Sequence, residues 1–175
     1  MIDAVLPRFP NLEVAVSATT RPRRPGERDG VDYHFLDRRA FEDRVAADDL
    51  LEYVVYAGHL YGTLRSEIET RLAAGVSVVV EIELNGARAI RRLLPDAVSI
   101  FIAAPSTAEL ARRLHSRATD TEDEIALRLA ASRVELEAVG EFDHLVVNDD
   151  RERAAEELAG LVRELTGCPG TAERS

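Results

Sequence analysis

The segment of residues 17–28 carries the side chains best suited to chemistry. It holds four arginines and three hydroxyl residues, and two prolines stiffen it. A guanidinium group donates paired hydrogen bonds that match the oxygen atoms of a phosphate. The segment therefore predicts a binding site for a phosphate-bearing anion. On composition alone a solvated charged loop is the commoner explanation, because runs of charge usually lie on protein surfaces.

The composition of the chain limits its other functions. Its 175 residues are the length of one domain, and a hydrophobic content of 46% supplies a core. A formal net charge of -10 argues against a broad surface for nucleic acid or anionic membranes. All 22 basic residues are arginine, so chemistry that requires a lysine is beyond these residues.

The single cysteine, Cys168, excludes an intramolecular disulfide and a cysteine-based metal cluster. A reducing compartment is the expected environment. The chain opens without the pattern of a signal peptide, and no apolar run approaches the roughly 20 residues of a membrane span. We therefore expect a cytoplasmic protein with no metal ligands and no membrane partner.

Apolar runs alternate with amphipathic stretches, which is typical of an α/β domain with a parallel sheet. β-Branched runs predict strands buried on both faces at residues 78–83 and 98–103, and a shorter strand at 145–147. Capping-box spacing predicts three helix starts, and residues 85–94 predict a fourth helix; the three caps are Ser106, Thr121 and Asp149.

The first half has a mixed pattern that predicts a small insert beside the main sheet. Short strands are expected at residues 12–17, 32–36 and 51–56, and a helix at 41–47. The last residues, 167–175, are rich in Gly, Pro and polar side chains and predict a frayed tail.

Residues 19–36 resemble the signature of the guanylate kinase family. They begin Thr-x-Arg, have a second basic residue three positions on, and then carry Glu, Gly and a Tyr-x-aromatic ending. The similarity continues in order along the chain, over residues 2–165, at 51–52, 61–63, 80–86, 112–128 and 147–150. It implies a P-loop kinase-like three-layer α/β fold with a parallel sheet. The domain would span residues 1–166, with a GMP-binding insert at 32–62 and a helical lid at 113–128.

In this family the resembling loop holds the phosphate of GMP. The resemblance implies that Arg21 and Arg24 grip that phosphate. It also implies that Tyr33 and Tyr61 donate their hydroxyl groups to the phosphate oxygens. These four residues are the expected phosphate site.

Guanine recognition is implied at Glu52, which matches the family position that contacts the base. Guanine presents N1–H beside an exocyclic amino group, and one carboxylate accepts both. Ser17 and Thr63 match positions that bond the base or the nucleotide. Glu83 stands where the family usually has Asp, and its extra methylene displaces or removes that contact.

An arginine-rich segment resembles the mobile lid of the family. Arg113, Arg117 and Arg128 are the catalytic candidates, because arginines brought over a migrating phosphoryl group stabilise its charge. Ala118 replaces a family Gly, and Asn148 matches a position near the adenine of ATP. Taken without the resemblance, the arginines equally suit a solvated helix face paired with residues 122–124.

The family begins with a strand and a Gly-rich loop ending Gly-Lys-Ser/Thr, which binds the phosphates of ATP and Mg²⁺. The present residues contain neither that loop nor any lysine. We expect either a true start upstream of Met1 or a domain that has lost its ATP chemistry. Because the missing strand would lie between those at 78–83 and 98–103, marginal stability is also expected.

The function that the resemblance implies is ATP-dependent phosphorylation of GMP to GDP, with ATP and Mg²⁺ as cofactors and GMP and ATP as ligands. Without the P-loop this activity is expected to be impaired. Two alternatives stay open: a non-catalytic module that binds a nucleotide or a phosphorylated ligand, and a truncated product that does not fold by itself. No nucleic-acid partner is expected.

Overall fold

Residues 1–56, 58–116 and 122–167 are described by the computed structural model, without the side chains of residues 123 and 124. Within them, the α-helices are α1 Ile2–Val5, α2 Arg38–Ala46, α3 Arg65–Ala73, α4 Leu84–Leu93, α5 Thr107–Ser116, α6 Glu122–Glu137 and α7 Arg151–Thr166. The strands are β1 Leu12–Val14, β2 Ser17–Thr19, β3 His34–Phe35, β4 Leu50–Tyr56, β5 His59–Leu64, β6 Ser77–Val79, β7 Ile100–Ala103 and β8 His144–Val147. The expected α/β class is confirmed.

One compact unit, Pro10–Ala97, contains a four-stranded sheet in the order β3-β2-β5-β4. Strands β2 and β3 are parallel, whereas β5 runs antiparallel to both β2 and β4. A separate parallel pair joins β1 to β6. Residues 12–17 were expected to form one strand, but the chain leaves β1 at Val14 and enters the other sheet at Ser17.

A β-bulge in β4 sets the position of the carboxylate at Glu52. Leu50 pairs with Leu64, but the next partner pair is Glu52 with Thr63. A regular ladder would have placed Leu51 opposite Thr63, and the extra residue brings Glu52 there instead. The two leucines pack into separate cores: Leu50 packs in a cluster with Phe41, Ala18, Leu60 and Leu64, and Leu51 in one with Ala15, Ile68 and Ile90.

The other compact unit, Met1–Phe9 with Val98–Ser175, contains the parallel pair of β7 and β8. Helix α1 packs against α7, and the Arg8 guanidinium lies 2.6 Å from the Glu156 carboxylate. In the strand pair, Ile102 is 39% exposed and Leu145 is 45% exposed. The expectation of a strand buried on both faces is wrong for β7, since the side chain of Ile102 is exposed. Within the described residues β7 pairs with β8 alone.

The capping residue predicted for α5 is confirmed, whereas the cap of α7 lies one residue from the predicted position. The Ser106 hydroxyl accepts the backbone N–H of Glu109 at 3.1 Å, as the spacing predicts. At α7 the cap is Asp150 and not Asp149, because Asp150 accepts the N–H groups of both Glu152 and Arg153. Thr121 lies outside the described residues. The predicted strand at 78–83 is shorter than expected, and α1, α3 and β5 were not predicted. No described helix is long and apolar enough to cross a membrane.

Candidate active site

Three of the predicted nucleotide-binding residues lie in one row across the four-stranded sheet. Ser17 of β2 is opposite Thr63 of β5, and Thr63 is opposite Glu52 of β4. Two positions along the strands, Thr19 of β2 is opposite Tyr61 of β5. Backbone pairing therefore brings together residues that are far apart in the sequence.

Glu52 is a buried carboxylate with one oxygen already bound. Glu52 is only 7% exposed, and Thr63 is fully buried. The Thr63 hydroxyl donates a hydrogen bond to Glu52 Oε1 at 2.7 Å. Burial raises the pKa of Glu52, and the hydrogen bonds from Thr63 oppose that rise. Carboxylate oxygens accept several hydrogen bonds between them, so Glu52 keeps acceptor capacity for a ligand with adjacent N–H donors.

The second oxygen of Glu52 lies against Gly86 in the first turn of α4. A Cβ atom built on Gly86 would come within 2.9 Å of Oε2 and 3.1 Å of the Ile82 Cβ. If residue 86 had a Cβ atom, the flexible side chain of Glu52 would move more readily than the backbone. Glycine at this position therefore leaves room for the carboxylate in its observed position.

Replacing Gly86 with Ala is expected to move the Glu52 carboxylate and to weaken GMP binding about tenfold, with little loss of stability. The small stability effect follows because Ala favours a helix over Gly by about 1 kcal/mol, which offsets the crowding. Isothermal calorimetry and thermal melts measure the two quantities.

The matched control is Gly160→Ala in α7, where a new Cβ would have no heavy atom within 4 Å. This variant is expected to keep wild-type GMP affinity. Equal affinities of Gly86→Ala and wild type would show that the carboxylate does not depend on this space.

Arg21 lies between a carboxylate and two aromatic rings. Its Nη2 is 2.6 Å from Glu27 Oε1, and its Nη1 donates to the Pro22 carbonyl at 2.8 Å. Its guanidinium carbon lies 5.4 Å from the centre of the Tyr33 ring and 5.7 Å from that of Phe35. The hydrogen bond to Glu27 raises the pKa of Arg21, and Tyr61 adds to this effect. The guanidinium is therefore a fixed positive charge.

Glu27 organises the arginine loop, a role that the sequence did not predict. Besides Arg21, it accepts the backbone N–H of Arg24 at 2.7 Å through its second oxygen. The Arg21 hydrogen bond, followed by that of Arg24, lowers the pKa of Glu27. Glu27 is part of the family signature in residues 19–36, and that position in the motif was the signal that could have indicated its role. A bound phosphate would compete with Glu27 for the Arg21 guanidinium.

The predicted phosphate-binding tyrosines are in contact. The rings of Tyr33 and Tyr61 meet edge to face with centroids 6.1 Å apart, and Tyr56 meets Tyr61 at 6.2 Å. Burial raises the pKa of Tyr33, so its hydroxyl stays protonated and is a hydrogen-bond donor.

Two further predicted GMP-binding residues are Arg24 and Glu83. Arg24 belongs to the arginine loop, and Glu83 lies farther along the chain at the N-cap position of α4.

The predicted lid residues belong to the other compact unit. Arg113 in α5 donates from Nε to Glu109 at 2.7 Å, and Arg112 donates twice to the same carboxylate. These hydrogen bonds lower the pKa of Glu109 to about 2. Arg128 lies in α6. Arg117 and Ala118 fall outside the described residues.

Asn148 lies just after β8, in a loop fixed on both sides. Its backbone N–H donates to the Ala103 carbonyl at 2.7 Å. Arg153 Nη2 donates to the Val147 carbonyl and to Asp149 Oδ1, each at 2.6 Å. The loop is therefore held against the end of β7 and the first turn of α7.

Comparison with known proteins agrees with this arrangement. The family model described as guanylate kinase matches residues 1–165. The chain belongs to the guanylate kinase family. Guanylate kinase of Rubrobacter xylanophilus is 50% identical over 165 residues, which are 94% of this chain and 86% of that protein. Guanylate kinase of Frankia casuarinae is 49% identical over 162 residues, covering 93% and 88%.

A solved guanylate kinase also shares the fold. The crystal structure of the enzyme from Anaplasma phagocytophilum superposes with a TM-score of 0.77 at 30% identity, covering 92% of this chain and 79% of that one. The family predicted from residues 2–165 is thus confirmed over nearly the same range. The individual roles of the site residues stay predictions.

Few groups suited to ATP with Mg²⁺ are found among the residues that the structure describes. The chain has no lysine to neutralise a triphosphate. The part of the chain that the structure describes has no group of three His, Cys, Asp or Glu side chains that could hold a metal ion. Around Asn148, the Asp149 carboxylate is engaged by Arg153.

Proposed function

We propose that this protein acts in the guanylate kinase reaction, the transfer of the γ-phosphoryl group of ATP to GMP, and that residues 10–97 form its GMP site. The observation that carries the proposal is the buried pair of Glu52 and Thr63, in the same row as Ser17. A buried carboxylate with acceptor capacity beyond its bond from Thr63 suits guanine, which has two adjacent N–H donors, and rejects adenine, which lacks that donor pair.

The phosphate of GMP would lie at the arginine loop. Arg21 and Arg24 would donate charge-assisted hydrogen bonds to its oxygens, and Tyr33 and Tyr61 would donate their hydroxyls. Ser17 and Thr63 would bond the base or another part of the nucleotide. Glu83, at the N-cap position of α4, would contact the nucleotide in place of the usual Asp, from a carboxylate displaced by its extra methylene.

The remaining roles are assigned to the lid and the adenine side. Arg113, Arg117 and Arg128 would stabilise charge on the transferring phosphoryl group, since preorganised cations aimed at developing charge lower such barriers. Asn148 would lie near the adenine of ATP. We propose residues 32–62 as the GMP-binding insert, 113–128 as the lid and 1–166 as the domain, with 167–175 as a tail. From residue 168 onwards this tail lies outside the described residues.

The buried pair of Glu52 and Thr63 also supports a second candidate, a guanylate-kinase-like module that binds a nucleotide or a phosphorylated ligand without transferring phosphate. This candidate uses the same GMP site. A coupled assay with ATP, Mg²⁺ and GMP separates the two functions, because only the first predicts turnover.

The cellular setting is also a proposal. One cysteine in 175 residues suits a reducing compartment, so we place the protein in the cytoplasm. Its net charge of -10 disfavours nucleic acid as a partner. The proposed ligands are therefore the small molecules GMP and ATP.

Replacing Arg21 with Ala tests the phosphate site. The loss of one charge-assisted contact is expected to weaken GMP binding by about 1.5 to 3 kcal/mol. Calorimetric titration of the two proteins with GMP measures this difference.

Arg23→Ala is the matched control, since Arg23 is an exposed arginine in the same loop with no proposed role. This variant is expected to bind GMP like wild type. If Arg21→Ala kept full affinity, or if both variants lost it equally, the assignment of Arg21 would be wrong.

A further inference from the structure

Glu67 in α3 links the two chain segments that carry Ser17 and Tyr33. Its side chain is 13% exposed, and its two oxygens have different partners. Oε2 accepts the backbone N–H of Val16 at 2.9 Å, and Oε1 lies 3.0 Å from Nε2 of His34. Val16 directly precedes Ser17, and His34 directly follows Tyr33.

The Val16 amide lies at a break in the strand pairing. The Ala15 N–H still donates to Val79 in the β1–β6 sheet, whereas Ser17 already pairs with Thr63 of β5. Between these two sheets the Val16 N–H donates to Glu67. A backbone donor left without a partner here would favour a change in the path of the chain next to Ser17.

Arg71 also contacts the Glu67 carboxylate. One turn along α3, its Nη1 lies 2.8 Å from Glu67 Oε2, and its Nε donates to Glu13 at 2.8 Å. Burial would raise the pKa of Glu67, but the bonds from Val16, His34 and Arg71 outweigh it and lower the pKa. Glu67 is therefore ionised at neutral pH, and its hydrogen bonds are charge-assisted.

We infer that Glu67 is a positioning residue for GMP, which fixes Ser17 and Tyr33 relative to each other without touching the ligand. This inference rests on the proposed GMP site. Strands β2 and β3 pair over only two positions, Ala18 with His34 and Thr19 with Phe35. So short a ladder leaves the start of β2 and the turn before β3 dependent on a side chain that bridges them.

The test measures GMP affinity by calorimetry and thermal stability for the full chain. Glu67→Ala is expected to weaken GMP binding about tenfold, because the Val16 and His34 partners are lost. Glu67→Gln is expected to stay within about threefold of wild type, since its amide oxygen still accepts from Val16 and its amide nitrogen still reaches His34. The control is Glu69→Ala, which removes an exposed carboxylate from the same helix. The Glu69 carboxylate lies 3.5 Å from the Arg65 guanidinium. This control variant is expected to leave affinity unchanged.

A purely structural role would lower the melting temperature of Glu67→Ala and leave its GMP affinity at the wild-type value, which would overturn the inference. Equal losses of affinity in Glu67→Ala and Glu67→Gln would also overturn it, because charge rather than hydrogen bonding would then be responsible. If Glu67→Ala does not fold, His34→Ala, which keeps the Val16 bond, is expected to weaken binding about threefold. Wild-type affinity of that variant would reject the inference. Failure of the unaltered chain to bind GMP would overturn the proposed site itself, and this inference with it.

Discussion

A preparation of the 175-residue chain, given ATP, Mg²⁺ and GMP, is expected to turn over at least about 100-fold more slowly than the roughly 1 per second at the low end for kinases. Phosphoryl transfer depends on positive charge and backbone donors placed around the migrating group. The loop that supplies them in P-loop kinases ends in Lys, and this chain has none. A coupled assay that follows the formation of ADP measures the rate.

Two controls make this result interpretable. The guanylate kinase of Rubrobacter xylanophilus, assayed in parallel, establishes that the coupling enzymes respond. Calorimetric binding of GMP to the same preparation establishes that the chain is folded. A rate of about 1 per second or faster from the 175-residue chain would contradict the prediction. It would indicate that arginines supply the positive charge that a lysine supplies in P-loop kinases.

The sequence predicted the parts of the site that depend on local chemistry. The arginine loop around Arg21 has its own composition, and its neighbours Glu27 and Tyr33 lie within twelve residues of it. The contact between Arg21 and Glu27 was nevertheless not predicted from the sequence. The helix start at Ser106 was predicted, because a capping interaction spans only three residues.

Contacts between distant elements could not be predicted from local spacing. Glu67 meets His34 across 33 residues, and neither has a periodic or compositional signal. The pairing of Glu52 with Thr63 depends on a β-bulge that no residue type predicts. The cap of α7 was wrong by one residue because Asp149 and Asp150 both suit the position, and the Arg153 guanidinium engages Asp149 instead.

Replacing Glu52 with Gln is expected to weaken GMP binding by about 3 kcal/mol, or roughly 100-fold, while AMP binding changes little. Guanine donates N1–H and an amino hydrogen on the same edge. The Glu52 carboxylate accepts both, whereas a Gln amide offers one acceptor and turns its own N–H donors towards guanine. The Thr63 hydroxyl, which donates to Oε1 at 2.7 Å, leaves the buried amide little freedom to rotate away from that conflict. Calorimetry with each nucleotide measures the change.

IMP is the ligand that isolates the mechanism, because it keeps N1–H but lacks the amino group. Wild type should prefer GMP to IMP, since one of the two donors to Glu52 is missing in IMP. In Glu52→Gln that preference should shrink, because a single amide oxygen no longer receives both donors. Glu42→Gln, a change of an exposed carboxylate in α2, should leave all three affinities unchanged. A Glu52→Gln protein that still discriminated GMP from IMP as strongly as wild type would show that guanine is recognised elsewhere, and the row of Ser17, Thr63 and Glu52 would then be a structural feature of the sheet.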